Sequence, residues 1–411
     1  FDAADAAPRR FPDLSMGQEL VLTRGCAVCH GILGPGGRQG LDLLRVARNK
    51  GAPEVLASMW NHIPQMAGAL LEGERLPELS GSELRDVVGY LNFVNFLGDE
   101  GNAEQGAAQL AEMQCLGCHD LDRRGKIGPA LVDPERSASP VGLITDIWND
   151  YPGMSRALRE KGFRWFEWRG EFLTNASRYL DRLASREART PLLDQPDPQR
   201  GAVRFDQLGC IRCHDPDRLA GWVSFTRTLN RRSAAESGAA LLRHLPVIEQ
   251  SRRSTLAGAE LRPLSERAMA DLLIFLSLAG AELRGGDPGK GKALFERLPC
   301  GKCHALPGQR PGIGPDLKDI PAAEGPYEAA AMMLQHARDM RTATKLKQGP
   351  GPRMEPDALL DLYAVLSQER GREALLAELS LDDEVRARER ARITGSKAFD
   401  SAVNSVPPVS K

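Results

Sequence analysis

Four short stretches of this chain share one pattern: Cys26-Ala-Val-Cys29-His30, Cys115-Leu-Gly-Cys118-His119, Cys210-Ile-Arg-Cys213-His214 and Cys300-Gly-Lys-Cys303-His304. We call each of these Cys-x-x-Cys-His stretches a pentad. Together they contain all eight cysteines of the 411-residue chain. Their first cysteines are 89, 95 and 90 residues apart, and this period predicts four tandem repeats of one small domain.

A pentad is the attachment signature of c-type haem. Its two thiols can form thioethers with one porphyrin, and the adjacent histidine can bind the iron from the proximal side. A zinc half-site or a thiol–disulfide centre also uses Cys-x-x-Cys, but the zinc site would need cysteines of separate pentads to combine, and the redox centre needs no histidine. We therefore predict four covalent haem c groups, with the proximal ligands His30, His119, His214 and His304.

Composition excludes some partners. The formal net charge of −1 gives no sign of a nucleic-acid-binding surface. No stretch approaches the roughly 18 uninterrupted apolar residues of a membrane-spanning helix, so we predict no intrinsic membrane span.

Glycine lies nine residues before the first cysteine of every pentad, within a helical pattern: Gly17, Gly106, Gly201 and Gly291. Because glycine inside a helix costs about 1 kcal/mol against alanine, four at one offset predict a close helix crossing. The predicted crossing partners are the periodic apolar segments 84–91, 173–180, 269–276 and 359–366. Aromatic residues recur there at Tyr90, Tyr179 and Phe275, with Tyr363 slightly out of step.

A glycine-bearing first helix, a pentad, a later methionine and an aromatic-bearing last helix together resemble the class I cytochrome c domain. The resemblance covers residues 12 to 371 and implies an all-α fold in which the first and last helices cross and a methionine is the distal iron ligand. We predict cytochrome c-like domains at 12–98, 99–192, 193–284 and 285–371, followed by a charged helical tail at 372–411.

The resemblance also implies haem attachment outside the cytoplasm. We therefore expect a periplasmic or other extracytoplasmic protein, with a cleaved export signal that preceded Phe1.

Methionines lie 35 or 36 residues after three of the proximal histidines, and we predict Met66, Met154 and Met340 as distal ligands. Met59 and Met332 fall outside this register. Trp60-Asn-His-Ile-Pro-Gln-Met66 resembles a Trp-Asn-His-x-Pro-x-Met pattern of some bacterial cytochromes c, and Trp148-Asn-Asp-Tyr-Pro-Gly-Met154 repeats it with aspartate for histidine.

Repeat 3 lacks this methionine. His244-Leu-Pro-Val-Ile248 aligns with His62-Ile-Pro-Gln-Met66 and puts an isoleucine at the distal position. Two outcomes stay open: His244 binds the iron, which becomes bis-histidine, or the iron keeps an open face. Met269 or another group is a further option.

A turn after the pentad also varies among the repeats. Gly128-Pro-Ala-Leu131 and Gly314-Pro-Asp-Leu317 resemble the family's Gly-Pro-x-Leu turn, whose proline carbonyl accepts a hydrogen bond from the proximal histidine. Repeat 1 has Gly40-Leu-Asp-Leu43 instead, and repeat 3 has no stretch that aligns.

These patterns lead to a tetrahaem electron-transfer protein, not an enzyme, that exchanges electrons with other redox proteins or with subunits of a respiratory or photosynthetic membrane complex. The alternative is a peroxidase-like enzyme with an open catalytic iron in repeat 3. The charged run 382–392 is typical of a solvated helix face or a frayed tail, and the alternative is a docking segment for a partner subunit.

Overall fold

The structure is a computed structural model. It describes residues 11–32, 37, 40–47, 50–69, 77–98, 101–122, 127–132, 139–184, 195–214, 232–253, 261–279, 286–306, 314, 317, 325–343 and 353–367. These residues form helices and connecting turns, with no β-strand among them, which confirms the all-α prediction. The predicted tail at 372–411 lies outside the described residues.

The chain divides into two compact units. The first comprises Phe1–Arg284 and Pro326–Asp357, and the second comprises Gly285–Gly325 and Ala358–Lys411. The first three repeats therefore lie in the first unit, whereas the residues of repeat 4 are shared between the two. The four domain boundaries remain predictions.

Each repeat opens with a first helix that leads to its pentad. Asp13, Asn102, Asp197 and Asp287 cap these helices, and each side chain accepts a hydrogen bond from a backbone N–H of the first turn. The first helices are Leu14–Thr23, Ala103–Glu112, Pro198–Gln207 and Pro288–Arg297.

Each repeat closes with a last helix that crosses its first helix. A Cβ atom added to Gly17, Gly106, Gly201 or Gly291 would lie only 1.9 to 2.1 Å from a backbone oxygen of the last helix. The predicted close crossing is thus confirmed, because no larger residue fits at these four positions. The last helices are Gly81–Leu97, Gly170–Leu183, Glu266–Ala279 and the helix at 358–367.

The aromatic position of the last helix is filled differently in repeat 4. Cβ of Tyr90 and of Phe275 faces the crossing glycine of its own repeat, and in repeat 4 the side chain of Val365 does so. Tyr363, the aromatic residue that was out of step in the sequence, lies two residues earlier.

A second link between first and last helices recurs four times and was not predicted. The backbone N–H of each N-cap residue donates to an Asp or Asn side chain of the last helix, at 2.7 to 2.9 Å. In repeats 1 to 3 these acceptor residues are almost fully buried. Each therefore provides a hydrogen-bond partner for a backbone N–H that would otherwise be unsatisfied in the protein interior. We call them crossing anchors: Asp86, Asn175, Asp271 and Asp361.

Between pentad and last helix, the described residues of each repeat include one long helix, which we call its distal helix because it carries the predicted distal ligand. Three of the four contain an internal proline, Pro64, Pro152 or Pro246. The distal helices are Ala52–Ala69, Pro140–Glu160, Ala234–Arg253 and Pro326–Ala343. Repeat 1 has a further short helix, Leu43–Ala47.

None of the described helices combines the length and the apolar character that crossing a membrane requires.

Candidate haem sites

The four pentads adopt one backbone turn. In each, the N–H of the histidine donates to the carbonyl of the first cysteine at 2.9 to 3.0 Å, which holds the histidine in a fixed place relative to the thiols. The residue before the turn has a positive φ in three repeats: Gly25 (87°), Gln114 (58°) and Gly209 (75°). Repeat 4 departs from this, because Pro299 occupies the position and proline fixes φ near −65°.

The first cysteine of every pentad is held as a neutral thiol. Desolvation raises the pKa of Cys115 to about 11 and that of Cys210 to about 12, and it also raises the pKa of Cys26 and Cys300. A thiol–disulfide centre depends on a thiolate of low pKa. This result counts against that alternative for the pentads.

The proximal histidines of repeats 1 and 2 are oriented by a backbone carbonyl. Nδ1 of His119 lies 2.8 Å from the oxygen of Pro129, as the resemblance to the Gly-Pro-x-Leu turn implied. Nδ1 of His30 lies 2.8 Å from the oxygen of Leu41. The Gly40-Leu-Asp-Leu43 stretch therefore provides an equivalent backbone carbonyl without a proline. This equivalence was not predicted from the sequence.

A glycine lies against the proximal imidazole in three repeats. A Cβ atom on Gly40 would lie 2.5 Å from Nδ1 of His30, and one on Gly128 would lie 2.3 Å from Cε1 of His119. In repeat 4, Gly314 approaches the ring of His304 in the same way, at 2.9 Å. The equivalent stretch of repeat 3, after His214, lies outside the described residues.

These contacts fit the covalent haem that the pentads predict. A backbone carbonyl can only accept a hydrogen bond, so Nδ1 of each ring donates its N–H, and in a neutral imidazole of this tautomer Nε2 is the nitrogen that can bind a metal. The glycines leave the ring no freedom on one side. Two thiols and one oriented imidazole are the side chains with which a protein holds a covalent haem.

On the distal side, the structure brings a second histidine close to the first in repeats 1 and 3. The ring centroids of His30 and His62 are 6.1 Å apart, and those of His214 and His244 are 5.9 Å apart. Two imidazoles bound to one metal at about 2.0 Å would place their centroids roughly 6 Å apart. The spacing therefore fits His244 as a ligand, but His62 has the same spacing beside a methionine.

In these pairs, the distal His62 and His244 and the proximal His214 are biased towards the neutral form. Desolvation is the main cause that lowers the pKa of His62, of His214 and of His244, and the neighbouring histidine of the pair lowers the first two further. Neutral imidazole is the form that binds a metal. In repeat 4, Nδ1 of His336 is instead 2.8 Å from the carbonyl of Met332 on its own helix.

The predicted distal methionines all lie on distal helices. Met66 and Met154 are half-buried. Met340 belongs to the first unit and His304 to the second, so their pairing remains a prediction. Ile248 is buried, and Met269 lies fully buried in the last helix of repeat 3.

No group of three or more His, Cys, Asp or Glu side chains that could hold a metal ion occurs among the described residues.

Scans against protein-family models, curated proteins and solved structures found no match to this chain.

Proposed function

We propose that the chain is a tetrahaem c-type cytochrome that carries electrons between redox partners outside the cytoplasm. The observation that carries this proposal is the repeated proximal site: four pentads with the same turn, and in repeats 1 and 2 a carbonyl that holds the proximal Nδ1. When bound, a haem would supply reversible one-electron transfer.

The residues assigned to hold the four haems follow from this. The thioether-forming pairs are Cys26 and Cys29, Cys115 and Cys118, Cys210 and Cys213, and Cys300 and Cys303. The proximal ligands are the four pentad histidines, and the distal ligands are Met66, Met154, Met340 and, in repeat 3, His244. Methionine ligation raises the potential of an iron relative to histidine, so repeat 3 would have the lowest potential of the four.

A peroxidase-like enzyme is the second candidate, because buried Ile248 provides no ligand in repeat 3. Cleavage of a peroxide needs an acid–base group next to the iron, and Glu249 is the nearest carboxylate in sequence. Glu249 accepts a hydrogen bond from Tyr151 at 2.8 Å and lies 3.4 Å from the guanidinium of Arg159. A carboxylate engaged in this way is poorly placed to move a proton, which supports the carrier.

A spectroscopic redox titration of the purified protein tests the carrier. We expect four reversible one-electron steps, with one step separated from the others to lower potential. Absence of reversible steps would reject the carrier. Peroxide turnover that disappears in Ile248→Met would put the enzyme in its place.

The partners are proposed to be other redox proteins or the subunits of a membrane-bound respiratory or photosynthetic complex. The two possibilities need the same chemistry from this chain and differ only in what docks on it. Purification from native membranes distinguishes them, since a complex subunit would co-purify with its partners.

A further inference from the structure

Repeats 2 and 3 meet along their distal helices, Pro140–Glu160 and Ala234–Arg253. A Cβ atom added to Gly238 of repeat 3 would lie 2.1 Å from Cδ1 of Ile144 in repeat 2. The two helices therefore approach each other with no space for a side chain at this point. This contact joins two repeats, whereas the crossing glycines act within one repeat.

Hydrogen bonds run in both directions across this contact. The side chain of Asn149 donates to the carbonyl of Leu264 at 2.9 Å and accepts the N–H of Leu264 at 2.8 Å. In return, Arg243 of repeat 3 donates to the carbonyl of Trp168 in repeat 2. Leu264 and Trp168 each lie two residues before the last helix of their repeat. The same surface is thus used on both sides, as in a two-fold arrangement.

The same exchange recurs between repeat 1 and the part of repeat 4 that lies in the first unit. Asn61 donates to the carbonyl of Met354 at 2.9 Å and accepts its N–H at 2.8 Å. Gln335 donates in return to the carbonyl of Leu79 at 2.7 Å. Leu79 lies two residues before the last helix of repeat 1, the position that Trp168 has in repeat 2.

The four side chains occupy one position of the repeat. Each immediately precedes the residue aligned with His62, and each donates an N–H to a backbone carbonyl of the other repeat. We call them docking residues: Asn61, Asn149, Arg243 and Gln335. Because a carbonyl accepts from any N–H donor, the type of the docking residue can vary while its function stays the same.

The contact of repeats 2 and 3 extends to the distal positions. Pro246 cannot donate to the carbonyl of Leu242 one turn earlier, and Trp165 of repeat 2 donates its indole N–H to that carbonyl at 2.8 Å. Tyr151, three residues before Met154, donates its hydroxyl to Glu249, which follows Ile248. Tyr151 is buried and the Glu249 side chain is partly exposed, so this hydrogen bond is partly buried.

We propose that the four repeats work as two docked pairs, repeat 2 with repeat 3 and repeat 1 with residues 326–357 of repeat 4, and that the Tyr151–Glu249 hydrogen bond couples the distal positions of repeats 2 and 3. The docking depends on contacts of the polypeptide alone. The coupling rests on the proposed function.

Hydrogen exchange of the full-length protein, as it is purified, tests the docking. In Asn149→Ala, the segment 261–265 of repeat 3 should exchange at least about fivefold faster, because the Leu264 N–H loses its acceptor and one ordinary hydrogen bond corresponds to about this factor. Asn102→Ala is the matched control, because Asn102 caps a helix within repeat 2 and should leave 261–265 unchanged. Unchanged exchange at 261–265 in Asn149→Ala, or equal acceleration throughout repeats 1 to 3, would overturn the docking.

A redox titration of Tyr151→Phe tests the coupling. The substitution removes one hydroxyl from repeat 2, and we expect the potential of the repeat 3 haem to shift because Glu249 loses its donor. Tyr179→Phe, in the last helix of repeat 2, should leave that potential unchanged. A shift confined to repeat 2, or none, would overturn the coupling. Failure to bind haem would reject the proposed function, while hydrogen exchange would still decide the docking.

Discussion

At the scale of single residues, the proximal histidine is confined by the smallest side chain. Gly128 leaves the ring of His119 just enough room, and a methyl group there would lie 2.3 Å from Cε1. The ring cannot keep its hydrogen bond to Pro129 and also give way to this methyl group. Gly128 is therefore required by the position of the imidazole and not by its own backbone.

Gly128→Ala should displace His119 and remove the low-spin EPR signal of one ferric haem out of four. Gly153→Ala is the control, because a Cβ at Gly153, on the distal helix of the same repeat, would meet no side chain or neighbouring element among the described residues. There alanine should stabilise the helix by about 0.5–1 kcal/mol and leave the EPR spectrum unchanged. Four intact low-spin signals in Gly128→Ala would contradict this account of the proximal site.

The crossing anchors are residues whose energetic role can be measured. Asn175→Ala removes the acceptor of the Asn102 N–H from a buried site and should lower the free energy of unfolding by about 1–3 kcal/mol. Asn175→Asp should retain most of the stability, because aspartate is the anchor in the other three repeats. Glu171→Ala, at an exposed position of the same helix, should change little. Denaturant unfolding measures all three, and equal loss in both substitutions of Asn175 would refute the anchor.

At the scale of elements, the helix crossing was predicted from the sequence, whereas its anchors were not, although they too recur at a regular spacing. The constant offset of Gly17 and its equivalents from the pentads predicted the crossing, since the absence of a side chain recurs visibly. The anchors had a signal too: each is the third residue of its predicted last segment, 73 or 74 residues after the N-cap residue. The carbonyl of Leu41 had none, because any residue provides a carbonyl.

Gly201→Ala tests the crossing as an element contact. The new methyl group would lie 1.9 Å from the carbonyl oxygen of Asp271, so the first and last helices of repeat 3 must separate. We expect a loss of about 1–3 kcal/mol in the free energy of unfolding. Gly68→Ala, in a helix where the new Cβ would meet no neighbouring element among the described residues, should be neutral or stabilising. Equal stability of the two variants in thermal unfolding would be inconsistent with a tight crossing.

At the scale of the whole molecule, repeats that are far apart in sequence contact each other. The distal helix of repeat 4 lies in the same compact unit as repeat 1, about 250 residues away in sequence. The sequence could not predict this, because the docking residues Asn61, Arg243 and Gln335 share a position but not a residue type. The period of about 90 residues predicts the number of repeats. It does not predict which repeats contact each other.

Glu328→Ala tests this long-range contact. Glu328 accepts the N–H of Gly81, at the start of the last helix of repeat 1, at 2.7 Å. Its loss should make amide exchange in the first turn of that helix about fivefold faster, although the substitution is in repeat 4. Glu355→Ala, an exposed control in the same unit, should leave that turn unchanged. Protection unaltered by Glu328→Ala would argue against the contact.

The central claim is that every pentad holds one covalent haem. Intact-mass spectrometry of the protein, expressed with a c-type haem attachment system and denatured before injection, measures this most directly. We predict one species with the mass of the chain plus four haems, and a loss of one haem when both cysteines of any single pentad are replaced by alanine. A haem-free mass, or haem that dissociates on denaturation, would contradict the account.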